Sequence, residues 1–198
     1  MHGLICKALE GFVRNQHGAE TWKRIALRSG LRFTEFEALR SYDDAQMEGV
    51  FLTAFQELER SNTALLEDVG HWICTHPPLE PVRRLIRFSG TSFVDLIYSL
   101  EDLHDRARIA LPGLNLPKYA LSELAPNTFE VLSTWHLEGS GAVLTGILRA
   151  MADDYGALAI IERGHRECVD GRWREPVTVS IFDQAHQEPR EFTLGQEA

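Results

Sequence analysis

Apolar residues recur every three or four positions through the first two-thirds of the chain and at every second position after Pro117, which predicts helices first and strands later. Leu4, Ile5, Leu9, Phe12 and Val13 share one helical face, and His17-Gly18 closes that segment. A short helix follows over 21–28 and ends at Gly30. Between 43 and 60, Met47, Val50, Phe51, Ala54, Phe55 and Leu58 form one stripe. Asn62-Thr63 opens a helix that runs to Thr75, where His76-Pro77-Pro78 stops it. Pro81 sits in the first turn of the next, which carries Val82, Leu85, Ile86 and Phe88 and ends at Gly90. The longest helix is predicted over 92–111. It begins at Ser92 with Asp95 three residues on, close to a capping box, and stops at Pro112-Gly113.

Residues 118–124 and 128–135 alternate, and Pro126-Asn127 between them reads as a hairpin turn. A helix over 141–155 interrupts the strands. Residues 157–161 and 177–182 then pair across a polar segment containing Asp170-Gly171, and 192–194 adds a short edge. The expected class is α+β. A helical N-terminal lobe, about 1–65, packs on a C-terminal lobe, about 66–198, of helices and a roughly four-stranded antiparallel sheet. The lobe boundary falls loosely near residues 62–80, within one 198-residue domain.

Composition narrows the partners. Of 198 residues, 44% are hydrophobic and 25% charged, and the formal net charge is −9, which repels phosphates and argues against nucleic acid. Cys6, Cys74 and Cys168 are odd in number and lie far apart, which predicts idle thiols rather than disulfides or a zinc knuckle. No leader or apolar run long enough to cross a membrane is read, so a cytoplasmic protein without a membrane partner is expected.

Catalytic patterns are missing. His-Glu-x-x-His, a Gly-x-Ser-x-Gly elbow, a P-loop and Gly-x-Gly-x-x-Gly are all absent. Asp43-Asp44 and Asp153-Asp154 are adjacent carboxylates, which diverge by about 100° on a helix, and they are expected as solvated helix ends. This argues for binding over turnover. His2, His17, His165 and His186 read as surface residues. His104 differs in its setting: Leu100, Leu103, Ala107 and Leu111 surround it at helical spacing, with Arg108 at the edge. A neutral imidazole facing an apolar space can coordinate iron through one nitrogen if an acceptor such as a backbone carbonyl takes the other. The plainer reading is a core histidine satisfied by a hydrogen bond.

The chain resembles the haem-nitric-oxide/oxygen-binding family, the sensory domain related to soluble guanylate cyclase. Met1-His2-Gly3-Leu4-Ile5 matches the family's start, and Gly18, Trp22, Tyr42-x-Asp44, Leu65-Leu66 and Gly70 follow at familiar spacing. Leu100-Glu101-Asp102-Leu103-His104 resembles the proximal helix, and Gly146 and Gly156 match the helix after the hairpin. The resemblance implies haem b with His104 as the iron ligand and Leu100 beside it. Pro117 would press on the haem. Ile5, Leu9, Val143 and Leu144 would form a distal wall without a tyrosine, suited to nitric oxide rather than dioxygen. It implies that nitric oxide loosens the iron–His104 bond and that the lobes shift. A histidine kinase or a cyclic-di-GMP enzyme would be the partner.

One departure stands out. The family grips the haem propionates with Tyr-x-Ser-x-Arg. Here the region reads Val131-Leu132-Ser133-Thr134-Trp135-His136-Leu137-Glu138, so the triplet becomes Ser133, Trp135 and Leu137, or Thr134, His136 and Glu138. Losing an arginine fork removes about 1.5–3 kcal/mol of charge-assisted bonding. Weaker binding, solvent-facing propionates, or substitution by Arg83, Arg84, Arg87 or Arg108 are the alternatives if haem is kept. The main reading is a stand-alone haem-based nitric oxide sensor that is not itself an enzyme. The others are a haem-free binding or scaffold module, with Trp135 packing the cavity, and an enzyme acting on a tetrapyrrole or other apolar small molecule.

Overall fold

The structure, a computed structural model, describes residues 1–87, 90–111 and 113–190. Among them the helices are α1 (Gly3–His17), α2 (Ala19–Arg28), α3 (Asp44–Glu57), α4 (Asn62–Thr75), α5 (Glu80–Arg87), α6 (Phe93–Ser99), α7 (Leu103–Ala110) and α8 (Ser140–Tyr155). The strands are β1 (Lys118–Ala125), β2 (Thr128–Trp135), β3 (Leu158–Arg163), β4 (Glu167–Val169) and β5 (Arg172–Asp183). The architecture is α+β, as the pattern predicts. Among the described residues no helix is long and apolar enough to cross a membrane. The expected edge at 192–194, Phe88 of the fifth helix and the helix stop at Pro112 lie outside the described residues.

The chain forms two compact units. The first comprises Met1–Leu65 and Gly113–Asn115. Its core buries Leu9, Phe12, Val13, Trp22, Ile25, Met47 and Val50. Polar groups in this unit find local partners: the Trp22 indole donates to the Thr34 carbonyl at 2.8 Å, and the Glu10 carboxylate accepts from the Phe36 amide at 2.9 Å. His2, expected at the surface, is buried, and its Nδ1 accepts from the Leu4 amide as the N-cap of α1. Asp43 caps α3 through the Gln46 amide at 3.0 Å, as expected of a helix-end carboxylate.

The second unit comprises Leu66–Pro112 and Leu116–Ala198, of which the described part carries the sheet. The order is β1-β2-β5-β3, all antiparallel, with β4 also pairing with β5. Asn127, in the left-handed region at φ 59°, turns β1 into β2. Alternation sends Phe129 and Val131 of β2 and Val177, Val179 and Ile181 of β5 inward, into one core with Leu144, Leu148 and Met151 of α8. Burying each such side chain contributes about 1.5–3 kcal/mol. Helices α4 and α8 approach through glycine: a Cβ on Gly146 would fall on the Glu67 carbonyl oxygen, and one on Gly70 on that of Val143.

Three further expectations need correction. The helix predicted over 92–111 is two, α6 and α7, with a break at 100–102. Distant groups cause it. The Arg106 guanidinium donates to the Ser99 carbonyl at 3.0 Å, and Glu101 turns away to accept the Leu121 amide at 3.0 Å. The polar segment before β5 is itself a strand, β4, because Asp170-Gly171 forms a tight hairpin with both residues at positive φ. The described sheet therefore has five strands. Asp154 is buried, 4% exposed, rather than a solvated end: it accepts from Arg83 Nε at 3.0 Å and Arg87 Nη1 at 2.9 Å. Arg83 and Arg87 are thereby committed to Asp154.

Candidate functional site

His104 is the second residue of α7 and is 6% exposed, among buried Leu100, Leu103 and Ala107. Its Nδ1 lies 2.7 Å from the Leu116 carbonyl oxygen. A carbonyl can only accept, so Nδ1 carries a proton; the tautomer of the neutral imidazole that this bond selects has its lone pair on Nε2. No hydrogen bond to Nε2 is present among the described residues. Leu116 is held by its place before buried Pro117, which restricts the preceding backbone to extended conformations. The Glu101–Leu121 bond fastens the same stretch of helix to β1. The imidazole is thus oriented by backbone, the arrangement that fixes a metal-ligating histidine. Among the described residues no three His, Cys, Asp or Glu side chains group as a metal cage.

The remaining candidates are distributed as follows. On α8, Val143 is half-buried and Leu144 is 1% exposed. In the first unit, on α1, Ile5 is half-buried and Leu9 is 1% exposed. None of these four side chains carries a hydrogen-bond donor. Arg108 is exposed, and Arg84 lies 3.6 Å from Glu80.

On β2 the two versions of the altered triplet start on opposite faces. Ser133 and Trp135 share the inward phase with Phe129 and Val131; Thr134 and His136 fall in the other phase. Val131 is 0% exposed and belongs to the core. Trp135 is half-buried, and its indole nitrogen is buried without a partner.

Ser133 leads to a residue that the sequence reading missed. Across the sheet, Tyr119, Ser133 and Glu175 lie in one row, β1 to β2 to β5. Glu175 is 7% exposed and sits at the start of α8. Its carboxylate accepts from the Gly139 amide at 3.0 Å, the Gly141 amide at 2.9 Å and the Ser140 hydroxyl at 2.8 Å. Ser133, 0% exposed, donates to Ser140 Oγ at 2.7 Å. Gly139 holds φ 104°, a conformation that a side chain would strain. Burial and the Glu175 charge push the Tyr119 phenol up, so it keeps its proton. The signal was present in the sequence. Glu175 lies in the same alternation phase as Val177, Val179 and Ile181, where a charge demands a partner.

For a haem, the two ends of the site therefore differ. The iron-ligand end fits, because one buried, oriented imidazole offers Nε2. The propionate end holds neither the tyrosine nor the arginine of the family clamp, and its serine is engaged with Ser140.

Comparison with known proteins agrees with this architecture. Soluble guanylate cyclase 89Db of Drosophila melanogaster is 18% identical over 158 residues, covering 80% of this chain and 24% of that protein. Soluble guanylate cyclase 89Da of the same species is 19% identical over 160 residues, again 24% of its length. The chain thus spans about a quarter of these relatives. Among solved structures, a Cs H-NOX mutant carrying 4-cyano-L-phenylalanine superposes with a TM-score of 0.78 at 14% identity, covering 97% of this chain and 100% of that one. An oxygen-binding H-NOX domain related to soluble guanylate cyclases gives 0.70 at 15% identity, covering 97% and 100%. These likenesses establish the fold. The model of the haem-NO-binding family matches residues 2–161, and the chain belongs to that family.

Proposed function

We propose that this domain is a haem-based nitric oxide sensor that reports to a partner enzyme, with His104 as the protein's iron ligand. The observation that carries the reading is the buried His104 imidazole, whose Nδ1 is spent on the Leu116 carbonyl. Haem b, when bound, supplies a ferrous iron that takes nitric oxide. The chain's own part is to aim Nε2 through the Leu116 carbonyl, on a helix segment whose Leu100, Leu103 and Ala107 are buried. Val143 and Leu144 of α8 carry no hydrogen-bond donor, and neither do Ile5 and Leu9 of α1; residues of this kind favour nitric oxide over dioxygen, because dioxygen gains most from a hydrogen bond. Pro117, buried next to Leu116, limits how far that carbonyl can move. Membership in the haem-NO-binding family and the guanylate cyclases among the relatives support signalling to an enzyme. A histidine kinase or a cyclic-di-GMP enzyme in the cytoplasm is the partner class proposed.

Absorption spectroscopy of protein expressed with haem supplied tests this. A Soret band is expected, shifted by nitric oxide and carbon monoxide but not by dioxygen. It should vanish in His104→Ala and return with added imidazole. Protein that stays colourless through a haem titration overturns the reading. The second reading, a haem-free module on the same fold, is favoured by one observation: the stretch 131–138 holds neither tyrosine nor arginine, and its Ser133 is already bonded within the protein.

A further inference from the structure

We propose that Glu175 fills, from within the chain, the seat that the start of α8 offers to a carboxylate, so that this end of the sheet accepts a ligand without gripping its acid groups. A helix N-terminus with free amides and a nearby hydroxyl favours an anion. Here the Gly139 and Gly141 amides and the Ser140 hydroxyl all converge on one carboxylate, and it belongs to β5 of the same unit. The seat is built as well as filled. Ser133 passes its hydroxyl hydrogen to Ser140, which orients the Ser140 hydrogen onto Glu175. Gly141 leaves room for this approach, since a Cβ there would press on the Glu175 side chain at 2.7 Å.

The same bonds remove the donors that a second carboxylate would need. Val131 has none, and the Ser133 hydrogen is committed. The Trp135 indole N–H, buried without a partner, remains in the same phase of β2, a neutral donor two residues along from Ser133. A ligand carboxylate brought beside Glu175 would meet like charge in a site shielded from water, which disfavours it. The site therefore selects against acid arms at this end and tolerates their absence. For haem this means that the iron ligand and apolar contacts carry the affinity. That consequence rests on the sensor reading above, whereas the filled seat does not.

Two measurements test the proposal separately from that reading. In Glu175→Ala the seat is vacated: thermal stability should fall, and millimolar propionate should restore it, with no effect on the wild type and none from chloride at equal ionic strength. Equal responses in variant and wild type, or an unchanged stability in Glu175→Ala, overturn the proposal. If Glu175→Ala does not fold, Glu175→Gln carries the test. The Gly139 and Gly141 amide protons, bonded to the carboxylate in the wild type, should exchange with solvent at least about tenfold faster in Glu175→Gln at the same pH; unchanged exchange overturns it. With haem, the wild type should bind haem and its dimethyl ester within about twofold of each other. An ester weaker by about tenfold or more, the worth of one charge-assisted bond, overturns the selection against acid arms. Failure to bind either porphyrin overturns the sensor reading alone, because the propionate and amide measurements need no haem.

Discussion

Gly146 of α8 lies so close to Glu67 of α4 that a Cβ there would overlap the Glu67 carbonyl oxygen. Backbone cannot step aside as a flexible side chain can. Gly146→Ala is therefore expected to destabilise the domain by about 1–3 kcal/mol or more. Gly49 of α3 is the contrasting case, with open space around it and a helical backbone. Gly49→Ala should stabilise by about 0.5–1 kcal/mol. Urea denaturation of both variants checks the pair, and a loss of stability in each would show that helix propensity has been misjudged at Gly49.

Asp154 holds two buried guanidinium groups, and α5 is fastened to α8 through it. Removing the carboxylate takes from Arg83, 2% exposed, its most deeply buried counter-charge, while Glu80 at 31% exposure stays beside it. Asp154→Ala should cost about 3–5 kcal/mol, since breaking a buried ion pair leaves the guanidinium charges poorly compensated. Chemical denaturation gives the size of the loss. A change below about 1 kcal/mol would mean that water reaches the cluster.

The start of α6 should respond to acid. Asp95 accepts from the Ser92 amide at 3.0 Å and the Thr91 amide at 3.1 Å, and Ser92 caps the Asp95 amide in return. These bonds hold the Asp95 carboxyl below its ordinary value of 3.8. A depressed carboxyl stabilises the fold at higher pH, and the contribution disappears as pH falls through the lowered value. Protection of the α6 amides, exchange taken relative to the intrinsic rate at each pH, should thus be higher at about pH 6 than at about pH 2, with the difference reduced in Asp95→Asn. Ser92→Ala should cost about 1 kcal/mol at neutral pH.

The three thiols should divide by exposure. Cys6 and Cys74 are buried, and desolvation pushes each thiol up to about 12, so neither ionises at neutral pH. Cys168 on β4 is exposed. A thiol reagent should modify Cys168 alone in the folded protein and all three in denaturant. Rapid modification of Cys74 would show that α4 opens locally.

Much of this was legible in the sequence, and the rest depended on contacts between distant residues. The hairpin at Pro126-Asn127 and the helix over 141–155 followed from turn chemistry and periodicity, which act locally. The break at 100–102 did not, because Glu101 is drawn out by an amide twenty residues on, at Leu121. Asp153 and Asp154 are neighbours in sequence, but only Asp154 faces the arginines of α5. The need for an acceptor at His104 could be reasoned from imidazole chemistry; that Leu116 supplies it could not. Glu175 was visible as a charge in an inward phase, yet its donors come from the start of α8, 34 to 36 residues earlier.

The interruption between α6 and α7 also determines what must give way if the histidine is displaced. A continuous rod from Phe93 to Ala110 would act as a lever, carrying any tilt at its far end back into the core around Phe93, Leu96 and Ile97, each 0–1% exposed. The jointed form confines that disturbance. α7 is only eight residues long, and a few polar anchors, Leu116 and Ser99 among their acceptors, bear the load. Repositioning the imidazole then strains a small articulated arm and leaves the packed layer behind it seated.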